Sequence, residues 1–206
     1  MINAVFFDFG GVLLEHADGV DHKELEAIHE LPARTLLECV YIESRYMDHQ
    51  VGACTEEEWI ESVLAALGKR VGRTRAEEIW SAFEQAEREL NPDMIDLVKR
   101  LRAAGYQVGI VSNTTPGMAE RLSERFPGFS AMFDDIIGSG DIKMAKPDPA
   151  IWRYAMERMD VKPEESVFTD DMRSYAAAAR EIWMHGFHFT GYEQFAADLR
   201  SIGVDV

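Results

Sequence analysis

The sequence predicts an α/β fold: a parallel sheet covered by helices on both faces, with a helical block inserted after the first strand. Three observations predict it. Beyond residue 90, short apolar runs alternate with helix-patterned stretches, the signature of βα units sharing one parallel sheet. The runs tend to stop at a polar residue, as doubly buried strands do where their carboxyl ends open into a crevice. Between residues 15 and 90 no β-rich run occurs, only amphipathic helical patterns. The expected organisation is therefore a sheet-based core from residues 1–14 and 91–206, and a helical cap from 15–90 lying over the first strand's functional end.

The first strand is Ala4-Val5-Phe6-Phe7, and it ends in Asp8. A buried strand tolerates no ionised side chain in mid-course, whereas its carboxyl end is where one is useful. Gly10 and Gly11 let the backbone turn sharply and leave N–H groups uncovered for a closely approaching anion. A carboxylate beside such a loop suits a nucleophile that attacks phosphorus or an activated carbon. The plainer alternative is a strand end where Asp8 only caps the bend.

In the inserted block, Pro32 opens a helix carrying Leu36, Leu37, Val40 and Tyr41 at helical spacing. Thr55-Glu56-Glu57-Glu58 is a capping box, followed by Trp59, Val63, Leu64 and Leu67, with Gly68 as the stop. Thr74-Arg75-Ala76-Glu77 repeats that pattern ahead of Ile79, Trp80 and Phe83. Asn91 and Pro92 restart the main body as cap and first helical residue, with a helix running to Gly105. Strands follow over 107–112, ending in Ser112, then 133–138, 166–169, running into Asp170-Asp171, and 186–189. Helices through Met118 and Leu122, through Ile151 and Tyr154, and over 192–202 separate and close them. Lys143, Lys146 and Pro147 fall in the loop before the Ile151 helix.

Composition narrows the partners. A formal net charge of −16 over 206 residues disfavours nucleic acid or an anionic membrane surface. No apolar run approaches the roughly 20 residues of a spanning helix, and the start lacks the basic flank and cleavage site of a signal peptide. Cys39 and Cys54 are too few for a disulfide framework and have no metal-ligand spacing. A cytoplasmic setting is expected, with the chain a monomer or a homodimer.

Strand ends thus deliver Asp8, Ser112 and Asp170-Asp171 to one edge of the sheet, and a loop delivers Lys146. Asp8, Asp170 and Asp171 are hard oxygen ligands suited to Mg2+, which completes its shell with waters and substrate phosphate. Ser112 and Lys146 can donate to phosphoryl oxygens, where transition-state charge is spread. Each residue alone has a bland reading: helix cap for Ser112, solvated lysine for Lys146, strand-end caps for the aspartates. Together, and in this order, they form a coherent set for a small phosphorylated substrate.

At this point the chain resembles the haloacid dehalogenase-like (HAD) hydrolase superfamily, over nearly its whole length. The motifs are FFDFGGVLL around Asp8, IVSNT around Ser112, KPDPAIW around Lys146 and VFTDD around Asp170. The resemblance implies a Rossmann-like core with a small helical cap, an aspartyl nucleophile at Asp8 and a phosphoaspartate intermediate. It places Mg2+ on the Asp8 side chain, the Gly10 carbonyl and the Asp170/Asp171 pair. It also implies phosphoryl contacts from Gly11, Ser112 and Asn113, with Lys146 neutralising charge.

Two departures from the family pattern stand out. Most family phosphatases carry a second aspartate two residues after the nucleophile, acting as general acid and then base; here that position is Gly10. Losing a general acid removes about 10²–10⁴-fold in rate, so the expected bias is toward good leaving groups such as sugar 1-phosphates. Glu15, His16 and His22 are candidate replacements, with exposed surface histidine the plainer reading for His16 and His22. After Asp171 the familiar DDSxxN is replaced by Met172 and Tyr175, with Trp183 further on, and the two aromatics read as core residues. The alternatives to a phosphatase are a 2-haloacid dehalogenase, with Arg34 or Arg45 holding a substrate carboxylate, and a degenerate non-catalytic binding protein. Tyr41, Glu43, Arg45 and Tyr46 are the candidate substrate contacts of the cap, although Tyr41 and Tyr46 equally suit packing within it.

Overall fold

The computed structural model describes residues 1–16, 22–85 and 88–205. Its strands are β1 (Ala4–Phe7), β2 (Leu14–His16), β3 (Arg88–Leu90), β4 (Gln107–Ser112), β5 (Asp135–Gly138), β6 (Ser166–Asp170) and β7 (His185–His188). Five of them make one sheet in the order β5-β4-β1-β6-β7, and all its pairings are parallel. Helices flank it, giving the α/β fold that the alternation predicts, Rossmann-like as the family resemblance implies.

β1 is the central strand, and all four of its side chains are wholly buried. Successive side chains point to opposite faces of a strand, which explains why an unbroken apolar run is needed here. Val5 and Phe7 join Val108, Ile110 and Val167 against helices Pro92–Ala103, Met118–Arg125 and Tyr192–Ser201. Ala4 and Phe6 join Val111, Ile137 and Phe168 against helix Ala150–Arg158. Gly109 of β4 is dictated by that packing: a Cβ there would lie 2.9 Å from the Phe6 ring and 3.0 Å from the Met159 sulfur.

The chain divides into two compact units, Met1–Leu14 with Leu90–Val206, and Glu15–Glu89. The second is helical, with helices His22–Ile28, Thr35–Leu37, Tyr46–Gln50, Glu56–Val71 and Arg73–Gln85, and a π-helical turn Glu38–Ile42. Its core is built on Leu25, Leu36, Val40, Val63, Leu67, Ile79, Trp80 and Phe83. β2 and β3 pair as a two-stranded ribbon at the two points where the chain passes between units. Residues 17–21 and 86–87 of the expected helical stretch lie outside the described residues.

Local signals are met in part. Asn91 accepts a hydrogen bond from Met94 N (3.1 Å) with Pro92 next, and Thr55 and Glu58 form the reciprocal capping box. Four details differ from expectation. The Glu56 helix runs past Gly68 to Val71 and stops at Gly72, whose φ of 85° suits glycine. The next helix starts at Arg73, so Thr74 lies inside it and caps nothing. Pro32 does not open its helix: the buried Glu26 carboxylate does, accepting from Arg34 N (2.8 Å) and Leu36 N (2.7 Å). The third sheet strand starts at Asp135, because Phe133 turns into the core and the Asp134 carboxylate accepts from Val108 N (2.7 Å).

Candidate functional site

The sheet's carboxyl edge gathers the polar groups. Asp8 follows β1 directly, and its N–H donates to Thr169 O (2.9 Å), extending the ladder by one residue. Phe7 pairs with Ile110 and with Thr169, so β4 runs two residues further to Ser112 and β6 one further to Asp170. Ser112 is buried there. The loop after it is pinned, with Thr114 N donating to Ser139 Oγ and Gly140 N to Thr114 O, both at 2.9 Å.

Lys146 is the pivot of the site. Its side chain is 1% exposed, with Nζ 2.9 Å from Asp8 Oδ1 and 2.6 Å from Asp170 Oδ2. Asn113 fixes the lysine's backbone: its amide Nδ2 donates to Lys146 O (2.9 Å) and its Oδ1 accepts from Lys146 N (2.8 Å). The side chain expected to touch a phosphoryl group is thus engaged at both ends in placing the lysine. Burial works against the ammonium, but the Asp8 and Asp170 charges outweigh it and hold its pKa above the ordinary value.

Asp8, Asp170 and Asp171 each offer an oxygen, all within 4.8 Å of one another. Among the described residues three carboxylates face one ammonium, a net of two negative charges when all are ionised. Burial, then the neighbouring Asp8 charge, push the Asp170 carboxyl up to about 7, and the same causes raise Asp171. Asp170 Oδ1 also accepts from Met172 N (2.7 Å), which turns the chain after it. Gly11 has φ 74°, and a Cβ there would lie 2.8 Å from Asp171 Cγ and Oδ2. Only glycine lets that carboxylate rest against the first loop. Gly10 faces open space, and among the described residues its carbonyl accepts no backbone hydrogen bond.

A hard cation fits this donor set. Oxygen ligands converge and negative charge is in excess, and burial followed by the Asp8 charge raises the Asp170 and Asp171 carboxyl pKa values.

Three residues differ from the sequence reading or were missed by it. Tyr175 is half-buried, with its ring centre 5.2 Å from Lys146 Nζ, so it borders the site as well as the core. Trp183, expected in the core, is 82% exposed with φ 72°. His188 ends β7 in register with Asp170, and its Nε2 lies 3.0 Å from Asp171 O. It was legible by the same strand-end rule that found Asp8 and Ser112. Arg45 lies in the helical unit, exposed, with its guanidinium on Asp48 (3.1 Å) and Glu58 (3.2 Å). There Glu43 pairs with Arg70 (2.6 Å), and Tyr41 packs edge-on to Tyr46 at 4.9 Å.

Comparison with known proteins gives a consistent set. A family model described as haloacid dehalogenase-like hydrolase matches residues 2–182. Protein CbbY of Cereibacter sphaeroides is 29% identical over 133 residues, covering 61% of this chain and 57% of that protein. (S)-2-haloacid dehalogenase 4A of Burkholderia cepacia is 31% identical over 90 residues, covering 44% and 38%. The chain thus spans little more than half of the first relative and less of the second. A HAD family enzyme from Bacteroides thetaiotaomicron, solved with magnesium and inorganic phosphate, superposes with a TM-score of 0.65 at 22% identity, covering 91% of this chain and 93% of that one.

Proposed function

The chain belongs to the haloacid dehalogenase-like hydrolases, and on that premise we propose that it is a Mg2+-dependent phosphatase acting on a small phosphorylated metabolite through Asp8. The observation that carries this reading is the wedge of Lys146 Nζ between Asp8 and Asp170 beside a three-carboxylate cluster. Displacement of halide needs one carboxylate, whereas a phosphate dianion must have its repulsion from that carboxylate cancelled. Asp8, Asp170, Asp171 and the Gly10 carbonyl would hold the metal, which supplies that cancellation when bound.

In this reading the Asp8 carboxylate attacks phosphorus in line. The new Asp8 O–P bond forms as the ester P–O bond breaks, and the leaving oxygen departs with the electron pair. The Ser112 hydroxyl and the Lys146 ammonium donate to the phosphoryl oxygens as charge spreads over them. Water then attacks the phosphoaspartate, releasing phosphate and restoring Asp8. With Gly10 where an acid would stand, the leaving oxygen takes its proton from solvent, which favours anomeric, acyl or aryl phosphates. Substrate choice is assigned to the helical unit, inserted directly after the Asp8 loop in the chain. That a neighbour of the same fold was solved with magnesium and inorganic phosphate supports a metal-dependent phosphatase reading.

Hydrolysis of p-nitrophenyl phosphate, with and without Mg2+, tests the proposal, because that leaving group needs little protonation. Metal-dependent turnover is expected. The second reading is dehalogenation, favoured by the dehalogenase relative, with Gly10 and the Asp170-Asp171 pair counting against it. Chloride release from 2-chloropropionate in EDTA, with no phosphatase activity, would establish that reading instead.

A further inference from the structure

The carboxylates account for only part of the Lys146 environment. An ammonium has three donors, and the two carboxylate contacts of Lys146 leave the rest of its surface to be covered without water, since the side chain is 1% exposed. Two aromatic faces cover it: the Phe168 ring, centred 5.3 Å from Nζ, and the Tyr175 ring at 5.2 Å. Phe168 sits in β6 and is held edge-on by Trp152 at 5.4 Å. Tyr175 comes from the helix Arg173–Glu181 that begins two residues after Asp171. Asn113 grips the Lys146 backbone from both sides. One lysine is therefore located by groups from four separate elements.

We propose that Tyr175 is a positioning residue of this site, whose ring face, together with that of Phe168, holds the Lys146 ammonium in place beside Asp8 for the phosphoryl group. The physical reason is charge. The cluster already carries more carboxylates than cations, so a further anionic partner for the lysine would worsen it. A ring face attracts the ammonium strongly where water is excluded and adds no formal charge. Nζ already touches both carboxylates, so without that face the ammonium keeps its ion pairs but loses the restraint on its remaining side, and its charge is free to tilt away from the place where transition-state charge appears. The kinetic consequence rests on the phosphatase reading; the location of the ammonium does not.

The test uses the full chain with Tyr175→Phe, followed by phenylalanine analogues carrying one, two and three ring fluorines at position 175. Fluorination drains the ring face while nearly preserving its shape, so packing stays constant. Tyr175→Phe is expected to hold kcat within about 3-fold, and the trifluoro analogue to lower it about 10-fold, with KM changed by less than about 2-fold. The second readout is the NMR position of the Lys146 Hε protons in metal-free protein, shifted upfield by the two rings in wild type and shifted less in Tyr175→Leu, where the Phe168 ring alone remains. A flat kcat across the fluorinated series, or Tyr175→Phe falling as far as Tyr175→Leu, would overturn the proposal. So would Lys146 Hε protons without a ring shift. If no phosphate ester is turned over, the functional reading fails, and the Hε position alone decides the role of Tyr175.

Discussion

Replacing Lys146 with methionine removes the cation that pairs with the site carboxylates while keeping a side chain of similar length. In the native chain Nζ lies 2.9 Å from Asp8 and 2.6 Å from Asp170, with the lysine 1% exposed and Asp170 wholly buried. Its loss leaves two buried carboxylates without a counter-charge, a change that costs about 3–5 kcal/mol. For a chain of this size that corresponds to a Tm lowered by roughly 6–20 °C. The loss should depend on pH. Burial and the Asp8 charge already push the Asp170 carboxyl from 3.8 to about 7, and removing the ammonium raises it further. The folded state then keeps a proton that the unfolded chain has released, so stability falls as pH rises from 3.8 through about 7 and is regained on acidification. Urea unfolding in EDTA at about pH 5 and about pH 8 checks this, with the larger deficit expected at the higher value. A deficit below about 1 kcal/mol, or one equal at both pH values, would refute the electrostatic account of the cluster.

Three other substitutions probe separate parts of the site and fold. Gly11→Ala places a Cβ 2.8 Å from the Asp171 carboxylate at φ 74°, so weaker Mg2+ binding by calorimetry and at least about 10-fold lower kcat are expected. Unchanged metal affinity would show that Asp171 is free to move. Gly10 has open space around its Cβ position, and Gly10→Asp should speed hydrolysis of alkyl phosphates by about 10²-fold relative to p-nitrophenyl phosphate. No relative gain in the folded variant would mean that another group already supplies the proton. Trp183 combines φ 72° with 82% exposure, so Trp183→Gly should raise stability in urea by about 1 kcal/mol, and a loss would reveal a contact that matters.

The sheet was legible because its signals are local. An apolar run ending in a polar residue marks both a buried strand and the place where chemistry can sit, and Asp8, Ser112 and Asp170 all follow that rule. Lys146 was found from its motif, and the structure brings it onto Asp8 and Asp170. Where reading failed, a competing group elsewhere in the chain decides the outcome. Glu26 starts the Thr35 helix from another helix, overriding Pro32. Gly68 stays helical while Gly72, with φ 85°, ends the helix. Periodicity marks Tyr175 as an inward-facing aromatic, yet its role depends on a lysine delivered by another loop. Asn113 reads as a strand-end polar group, but its amide is taken up by the Lys146 backbone.

Acid-quenched mass spectrometry during turnover of a phosphate ester tests the central claim most directly. The account predicts a phosphoryl adduct on the peptide containing Asp8, cleaved by hydroxylamine as acyl phosphates are, and absent in Asp8→Asn, which should not turn over. Sustained Mg2+-dependent turnover by Asp8→Asn, or an adduct on any other residue, would contradict it.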